Sequence, residues 1–188
     1  CEFDRWILET EQPISDYEKE LSNFIQDREF FFGGRTEVFS PYASADLLDC
    51  DIKYHDVCSL YPTVCSFRTL PIGKPKIYWG KTCDIDRCDK NHPNRYFGYI
   101  RCKVEGNPND LLGILPQKIN GRLKFTVEDK IGTWFTEELW LAQTLGYQII
   151  EVYEVHHFDA NSRSDTFMRG YMEFFLRMKQ EEIGRAHV

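Results

Sequence analysis

The residues of this sequence best suited to chemistry lie together at positions 56–62, Asp-Val-Cys-Ser-Leu-Tyr-Pro. Alternating apolar and polar residues at 51–55 predict a strand that leads into this stretch. Pro62 is typical of the first turn of a helix, where its missing N–H has no partner to lose. A carboxylate can bind a divalent cation, and the N–H groups of a starting helix can bind phosphate. The pattern therefore predicts a metal and polyphosphate site with Asp56 as metal ligand; an Asp that caps a short helix is the simpler alternative.

Positions 56–62 resemble motif A of the family B DNA polymerases, whose pattern is D-x-x-S-L-Y-P. Just upstream, residues 31–37 resemble the Y-x-G-G region of the protein-primed branch of that family. Residues 70–75, Leu-Pro-Ile-Gly-Lys-Pro, match the Pro-Gly-Pro segment of the same branch. The combination is most similar to the polymerases of Maverick/Polinton transposons, with adenoviral and linear-plasmid enzymes as relatives, and it extends over residues 1–175.

The resemblance implies two-metal phosphoryl transfer, in which a primer hydroxyl displaces pyrophosphate from an incoming deoxynucleotide. Carried onto this sequence, Asp56 would bridge two Mg²⁺ ions, and the backbone carbonyl of Val57 would complete one coordination shell. The backbone N–H groups of Ser59 and Leu60 would hold the triphosphate. Tyr61 would pack under the sugar and exclude ribonucleotides, because it would leave no room for a 2′-hydroxyl.

The resemblance also implies partners: a DNA primer-template, deoxynucleoside triphosphates and a terminal (priming) protein, with no membrane. Gly33 and Gly34 would lie against the template strand. Residues 112–158 stand in the place of the insertion that contacts the terminal protein and DNA in protein-primed relatives, and an ordinary elaboration of the palm is the alternative. Because such polymerases belong to transposons or viruses, we expect an intracellular protein in the nucleus of the host cell.

The sequence departs from the family pattern in its carboxylates. The second metal-binding carboxylate belongs to a D-T-D-type motif that the sequence does not contain, and the Lys-bearing helix and the acidic motifs of the proofreading exonuclease are also absent. Each Mg²⁺ needs several oxygen ligands, so one Asp cannot hold two ions. We therefore expect a fragment of a polymerase that does not polymerise by itself. A decayed, non-catalytic relic of a mobile element is a further alternative.

The strand and helix patterns of the sequence, together with the resemblance, predict an α+β fold. It would be a partial polymerase palm with flanking helices and an inserted hairpin–helix segment. Its antiparallel sheet would carry the carboxylate of position 56. Ile100, Cys102 and Val104 alternate with other residues on one predicted strand, and Asn120-Gly121 is a strong hairpin signal. The predicted order is an N-terminal helical segment at the exonuclease–palm junction (1–30), a palm (31–111), the insertion (112–158), a helix leading toward the fingers (159–181) and a non-native tail (182–188).

Composition indicates a globular protein, since 42% of the 188 residues are hydrophobic and 15% are aromatic. No apolar run is long enough to span a bilayer and no signal peptide is present, so we expect a soluble protein with reduced cysteines. The net charge of −7 argues against nucleic-acid binding. Most of that charge lies in residues 1–30, which carry nine acidic and only three basic side chains, so the rest of the chain is nearly neutral. Residues 74–103 hold eight Lys or Arg against three Asp, which indicates either a nucleic-acid strip or a solvated basic face. The aromatic residues interleaved there are Tyr78, Trp79, Tyr96, Phe97 and Tyr99.

A different class of function is a non-catalytic interaction module that binds zinc or nucleic acid. Cys83, Cys88, His92 and Cys102 give the spacing C-x4-C-x3-H-x9-C, which offers four zinc ligands but fits no common zinc finger. Buried thiols that serve only as small hydrophobic side chains are the alternative.

Overall fold

The computed structural model describes residues 24–25, 28–45 and 51–186, with the side chains of 183–186 excepted. The described residues form an α+β fold with antiparallel sheets and a few helices, as predicted. In chain order the elements are α1 (Leu60–Phe67), β1 (Leu70–Pro71), β2 (Lys76–Trp79), β3 (Gly98–Glu105), β4 (Pro116–Ile119), β5 (Arg122–Phe125), β6 (Lys130–Phe135), α2 (Thr136–Thr144), β7 (Gln148–His157), β8 (Arg163–Ser164) and α3 (Arg169–Ala186), with short 3₁₀ turns at Gly80–Thr82, Ile85–Cys88 and Ala160–Ser162.

The chain divides into two compact units. The first, called the sheet unit, comprises Cys1–Phe32 and Pro75–Asp159. The second, called the helical unit, comprises Gly33–Lys74 and Ala160–Val188. Every buried hydrophobic side chain among the described residues lies in the sheet unit. In the described part of the chain, no helix has the length and apolar composition needed to cross a membrane.

The sheet unit is built on a four-stranded antiparallel sheet in the order β2-β7-β3-β6. The predicted alternation on β3 is confirmed, because Ile100, Cys102 and Val104 are all buried. Helix α2 adds Leu139 to the same core. The indole of Trp134, on β6, is fully buried there.

Strands β4 and β5 form a separate two-stranded hairpin, in which Ile119 pairs with Arg122. Its turn has positive φ at both central residues, 53° at Asn120 and 73° at Gly121. This is the geometry that favours an Asn-Gly pair, because a tight hairpin turn needs left-handed backbone at both positions. The predicted hairpin is therefore confirmed.

Outside the β4–β5 hairpin, residues 112–158 belong to the four-stranded sheet and its core rather than to a separate insertion. This segment supplies β6, α2 and β7, and it contributes Leu115, Trp134, Leu139 and Val155 to the core. Within it, the β4–β5 hairpin is the part that is not paired into the four-stranded sheet. The functional assignment of this segment stays a prediction.

The helical unit pairs α1 with α3, joined by the short antiparallel β1–β8 ladder. Arg169, at the start of α3, donates a hydrogen bond from Nε to the carbonyl oxygen of Ser66 over 3.1 Å. Its guanidinium carbon also lies 5.7 Å from the centre of the Phe67 ring. Helix α3 continues to Ala186, so the predicted helix end at residue 181 is wrong.

The predicted strand at 51–55 is also wrong. Residues 51–57 have no regular secondary structure and are exposed throughout. Alternating polarity stabilises a strand only where a neighbouring strand accepts its backbone hydrogen bonds and a core takes its apolar face. No strand of the described residues pairs with this segment, and Asp56 lies in the helical unit rather than on the four-stranded sheet. The predicted helical segment at 1–30 lies mostly outside the described residues.

Candidate functional site

The candidate site is the turn that leads from Asp56 into α1. Helix α1 begins at Leu60, and Thr63 closes its first turn with a 2.9 Å hydrogen bond from its N–H to the carbonyl oxygen of Ser59. Pro62 is the third helical residue, a position where an N–H would have no intrahelical acceptor. The prediction that Pro62 lies in the first turn of a helix is therefore confirmed.

Ser59 adopts a left-handed backbone conformation, with φ 54° and ψ 39°. This conformation costs a non-glycine residue roughly 1 kcal/mol, and strained backbone of this kind is found preferentially at functional sites. The Ser59 side chain makes no capping hydrogen bond to the helix. The N–H groups at the start of α1 point along the helix axis toward solvent, where a helix dipole favours an anion.

The side chains around this turn are accessible. Asp56 is exposed, and the exposed fractions of Tyr61, Val57 and Leu60 are 77%, 66% and 49%. A carboxylate that binds a metal, and a ring that packs against a sugar, must both be reachable from solvent. Burial of Asp56 in an apolar interior would have contradicted the predicted role, and its carboxyl is not buried.

Asp56 has too few acidic neighbours for a complete metal site. Within residues 24–25, 28–45 and 51–186, no three His, Cys, Asp or Glu side chains group closely enough to hold a metal ion. One carboxylate and one backbone carbonyl supply only part of the six oxygen ligands of Mg²⁺. The residues present therefore fit one part of a magnesium site and not the whole of it.

Gly33 and Gly34 lie in an exposed, irregular segment of the helical unit. A Cβ added to either glycine would meet nothing within 4 Å, and neither has positive φ. Neither backbone conformation nor crowding among the described residues requires glycine here. Glycine permits close backbone approach by another molecule, and the predicted contact of this pair with the template strand stays a prediction.

The four predicted zinc ligands do not come together as a metal centre. Cys88 and Cys102 are buried, and the thiol of Cys83 donates to the carbonyl oxygen of Tyr153 over 3.6 Å. Burial raises the pKa of Cys83 to about 11 and that of Cys88 to about 12. Among the described residues no group of three or more His, Cys, Asp or Glu side chains forms a metal-binding cluster around them. The structure therefore supports the alternative, thiols that pack as small hydrophobic groups.

The aromatic residues interleaved at 74–103 do not form a surface strip. Tyr96 and Phe97 are buried. The guanidinium carbon of Arg87 lies 4.1 Å from the centre of the Tyr96 ring and 5.3 Å from that of Tyr78. Arg87 therefore packs against two of these aromatic rings, whereas Lys76, Lys81 and Lys90 are exposed. Trp79 differs, because 49% of its surface is exposed.

Sequence reasoning missed a cavity beside Trp79. It has a volume of about 520 Å³ and lies at the end of strand β2. No local pattern could have identified it, because its walls come from three distant stretches of the chain. The side chains that line it include Phe24, Trp79, Lys81, Glu151 and Tyr153.

Comparison with known proteins gives a consistent result. The family model for "DNA polymerase type B, organellar and viral" matches residues 3–185. A "Probable DNA polymerase" of Podospora anserina is 30% identical over 164 residues, which cover 87% of this chain and 12% of that protein. One of Neurospora intermedia is 29% identical over 162 residues, covering 84% and 16%. The chain thus spans less than a fifth of the length of either relative.

A pyruvate kinase of Thermoplasma acidophilum is 28% identical over 121 residues, but that match covers only 57% of this chain and 22% of the kinase. No solved structure matches.

Proposed function

Because the chain belongs to the organellar and viral type B DNA polymerases, we propose that it is the part of such an enzyme that carries the first catalytic carboxylate, Asp56. The observation that carries this proposal is the exposed turn at 56–62, in which Asp56 precedes the left-handed Ser59 and the free end of α1. The relatives named as probable DNA polymerases support the same activity.

The geometry of the turn suits phosphoryl transfer. Asp56 and the carbonyl of Val57 would bind Mg²⁺, which neutralises charge that develops on the triphosphate. The backbone N–H groups of Ser59 and Leu60 would hold triphosphate oxygens. Tyr61 would lie against the sugar, where its exposed ring excludes a 2′-hydroxyl.

Completion of the site requires at least one further carboxylate. Among the described residues none joins Asp56 in a metal-binding group, so the second ligand would come from another part of a longer polypeptide. The relatives, of which this chain covers 12% and 16%, leave ample length for it. We propose two Mg²⁺ ions for the complete enzyme, and primer-template DNA and deoxynucleotides as its substrates.

The decisive experiment is primer extension with a longer polypeptide that contains this chain. Asp56→Asn removes the metal-binding charge and should lower the extension rate at least about 100-fold, because catalytic electrostatics of this kind contribute several kcal/mol. Asp51→Asn is the matched control, since Asp51 is also exposed and lies five residues away. Equal rates for the two variants would overturn the proposal.

Protein priming is the finer part of the proposal. The β4–β5 hairpin exposes Lys118, Arg122 and Lys124, and the hairpin itself contains no acidic residue. Such a surface could contact an acidic face of a terminal protein or the DNA backbone. Replacing all three cations with Ala in the longer polypeptide should impair initiation on a terminal protein more than elongation from a DNA primer. Equal losses would count against a priming role.

A further inference from the structure

The cavity beside Trp79 lies where edge strand β2 ends. Strand β2 pairs with residues 154–157 of β7, and β7 extends beyond it toward its own beginning at Gln148. The cavity forms beside this extension and is lined by Glu151, Val152 and Tyr153. It lies entirely within the sheet unit.

We propose that this cavity binds one base of a single-stranded nucleic acid. Its volume, about 520 Å³, falls within the range of small-molecule sites and is large enough for a base and its sugar. Three of its walls are aromatic: Phe24, Trp79 and Tyr153. Every base has a flat face that stacks on such rings, whatever its sequence.

The backbone at Trp79 is held in a closed turn before any ligand arrives. The backbone N–H of Trp79 donates to the hydroxyl oxygen of Thr82, and that hydroxyl donates to the backbone carbonyl oxygen of Trp79, both over 2.8 Å. Gly80, between them, has a φ of 51°, which a side chain rarely adopts. This closed turn fixes the backbone beneath the ring, so binding a base need not order the backbone there.

Exposure distinguishes Trp79 from a residue that only packs. The Phe24 ring lies 5.9 Å from the Trp79 ring, tilted by 41°, so the two rings form adjoining walls rather than a closed stack. Trp79 remains 49% exposed, whereas Trp134 in the core is fully buried. A large aromatic face that is open to a cavity is the feature by which single strands are bound.

The polar groups at the cavity match a nucleotide. Lys81 is exposed at its wall and supplies a cation for the phosphate. The hydroxyl of Tyr153 donates to the Glu151 carboxylate over 2.9 Å, which orients the phenol ring. A carboxylate beside the ring can also accept a hydrogen bond from a base N–H.

The inference deepens the proposed function and rests on it for its ligand, because a polymerase template is single-stranded ahead of the primer. The test measures binding directly and needs no catalysis. Fluorescence anisotropy of a labelled oligothymidine of about twelve nucleotides is followed as the chain is added. An abasic strand of the same length reports the contribution of the phosphates alone.

The wild-type chain should bind the oligothymidine more tightly than the abasic strand. Trp79→Ala should weaken oligothymidine binding about 5- to 100-fold and leave the abasic strand unchanged, in line with the strength of one stacked base. Trp79→Phe, which keeps an aromatic face, should recover most of the affinity. Ile77→Ala is the matched control, because Ile77 is 54% exposed on the same face of β2.

Lysine variants test whether Lys81 binds the phosphates of the strand. Lys81→Ala should weaken both strands by a similar factor, whereas Lys90→Ala, at another exposed lysine, should weaken neither. Equal wild-type affinity for the two strands, or equal loss in Trp79→Ala and Ile77→Ala, would overturn the proposal. Saturable binding of free thymidine monophosphate without added affinity for the strand would overturn the assignment to a strand. If Asp56→Asn does not slow primer extension but the oligothymidine still binds as expected, the proposed function is wrong and the single-strand site stands.

Discussion

Glu138 Oε2 accepts a hydrogen bond from the backbone N–H of Phe135 over 3.0 Å, at the point where β6 turns into α2. The carboxylate thus satisfies one of the N–H groups that a helix N-terminus leaves without a partner. Helix α2 is the element that adds Leu139 and Ala142 to the core. This hydrogen bond therefore stabilises the junction between the last residue of β6 and the start of α2.

The first prediction concerns pH. Burial raises the pKa of Glu138, and the hydrogen bond from Phe135 opposes it with a smaller effect. Because the folded pKa lies above the ordinary value of 4.5, the folded state binds more protons than the unfolded state just above pH 4.5, and the free energy of unfolding falls as pH rises through that window. Glu138→Gln should remove this fall, so its stability relative to wild type should increase from pH 4 to pH 7 in urea titrations.

Two variants control for the helix cap itself. Glu138→Ala loses the hydrogen bond together with the carboxyl, so its stability should change with pH as that of Glu138→Gln does but lie about 1 kcal/mol lower. Glu137→Gln changes an exposed carboxylate in the same helical turn and should leave the wild-type pH profile almost intact. A wild-type pH profile in Glu138→Gln would show that burial of this carboxyl has no effect on stability.

The second prediction concerns the backbone of Ser59. Ser59→Gly relieves the left-handed conformation and should leave stability unchanged or raise it by up to about 1 kcal/mol. Ser59→Val should lower it by about 1 kcal/mol or more, because a β-branched residue tolerates positive φ poorly. Limited proteolysis near α1 measures the local stability of the two variants relative to the wild-type chain. If the backbone N–H holds the triphosphate, Ser59→Gly should retain primer extension in the longer polypeptide, and a large loss would assign the role to the hydroxyl.

The third prediction separates folding from binding at the glycine pair. Gly33→Ala and Gly34→Ala should leave thermal stability unchanged, because the added methyl groups meet nothing within 4 Å. Gly113→Ala is the contrasting variant, since its Cβ would lie 2.0 Å from the carbonyl oxygen of Thr126, and it should cost about 1–3 kcal/mol. Weaker template binding by the stable Gly33 and Gly34 variants would support close approach of DNA; unchanged binding would remove that role.

The fourth prediction concerns the thiols. Cys58 is exposed, so among the cysteines that the structure describes iodoacetamide should label it first in the native chain at pH 8. Cys83 should react more slowly, and Cys88 and Cys102 only after unfolding, because burial raises the pKa of each. Peptide-resolved mass spectrometry gives the order. Native labelling of Cys88 as fast as Cys58 would contradict the buried-thiol interpretation.

Local signals in the sequence predicted the local structure correctly. The alternation at Ile100, Cys102 and Val104 reflects one buried strand face, and Asn120-Gly121 reflects the backbone angles of a two-residue turn. The turn arises from interactions between near neighbours in the chain and needs no distant partner. The strand formed as predicted because β6 and β7 pair with it and a core takes its apolar face.

The errors come from long-range packing. Residues 51–55 have the alternation of a strand but no strand partner among the described residues, and the aromatic ring of Tyr96 turned inward to pack with Arg87. The cavity beside Trp79 joins side chains from Phe24 to Tyr153, which no short window of sequence can relate. The proposed role of Asp56 rests on a contiguous motif, so it did not depend on predicting the fold.

The uneven distribution of buried side chains has a calorimetric consequence. The change in heat capacity on unfolding grows with the apolar surface that becomes hydrated. Among the described residues, Ser66 is the buried residue of the helical unit, and the buried hydrophobic side chains belong to the sheet unit. Scanning calorimetry of this chain should therefore report mainly the melting of the sheet unit, while α1 and α3 lose their helical circular dichroism gradually over a broad range of temperature.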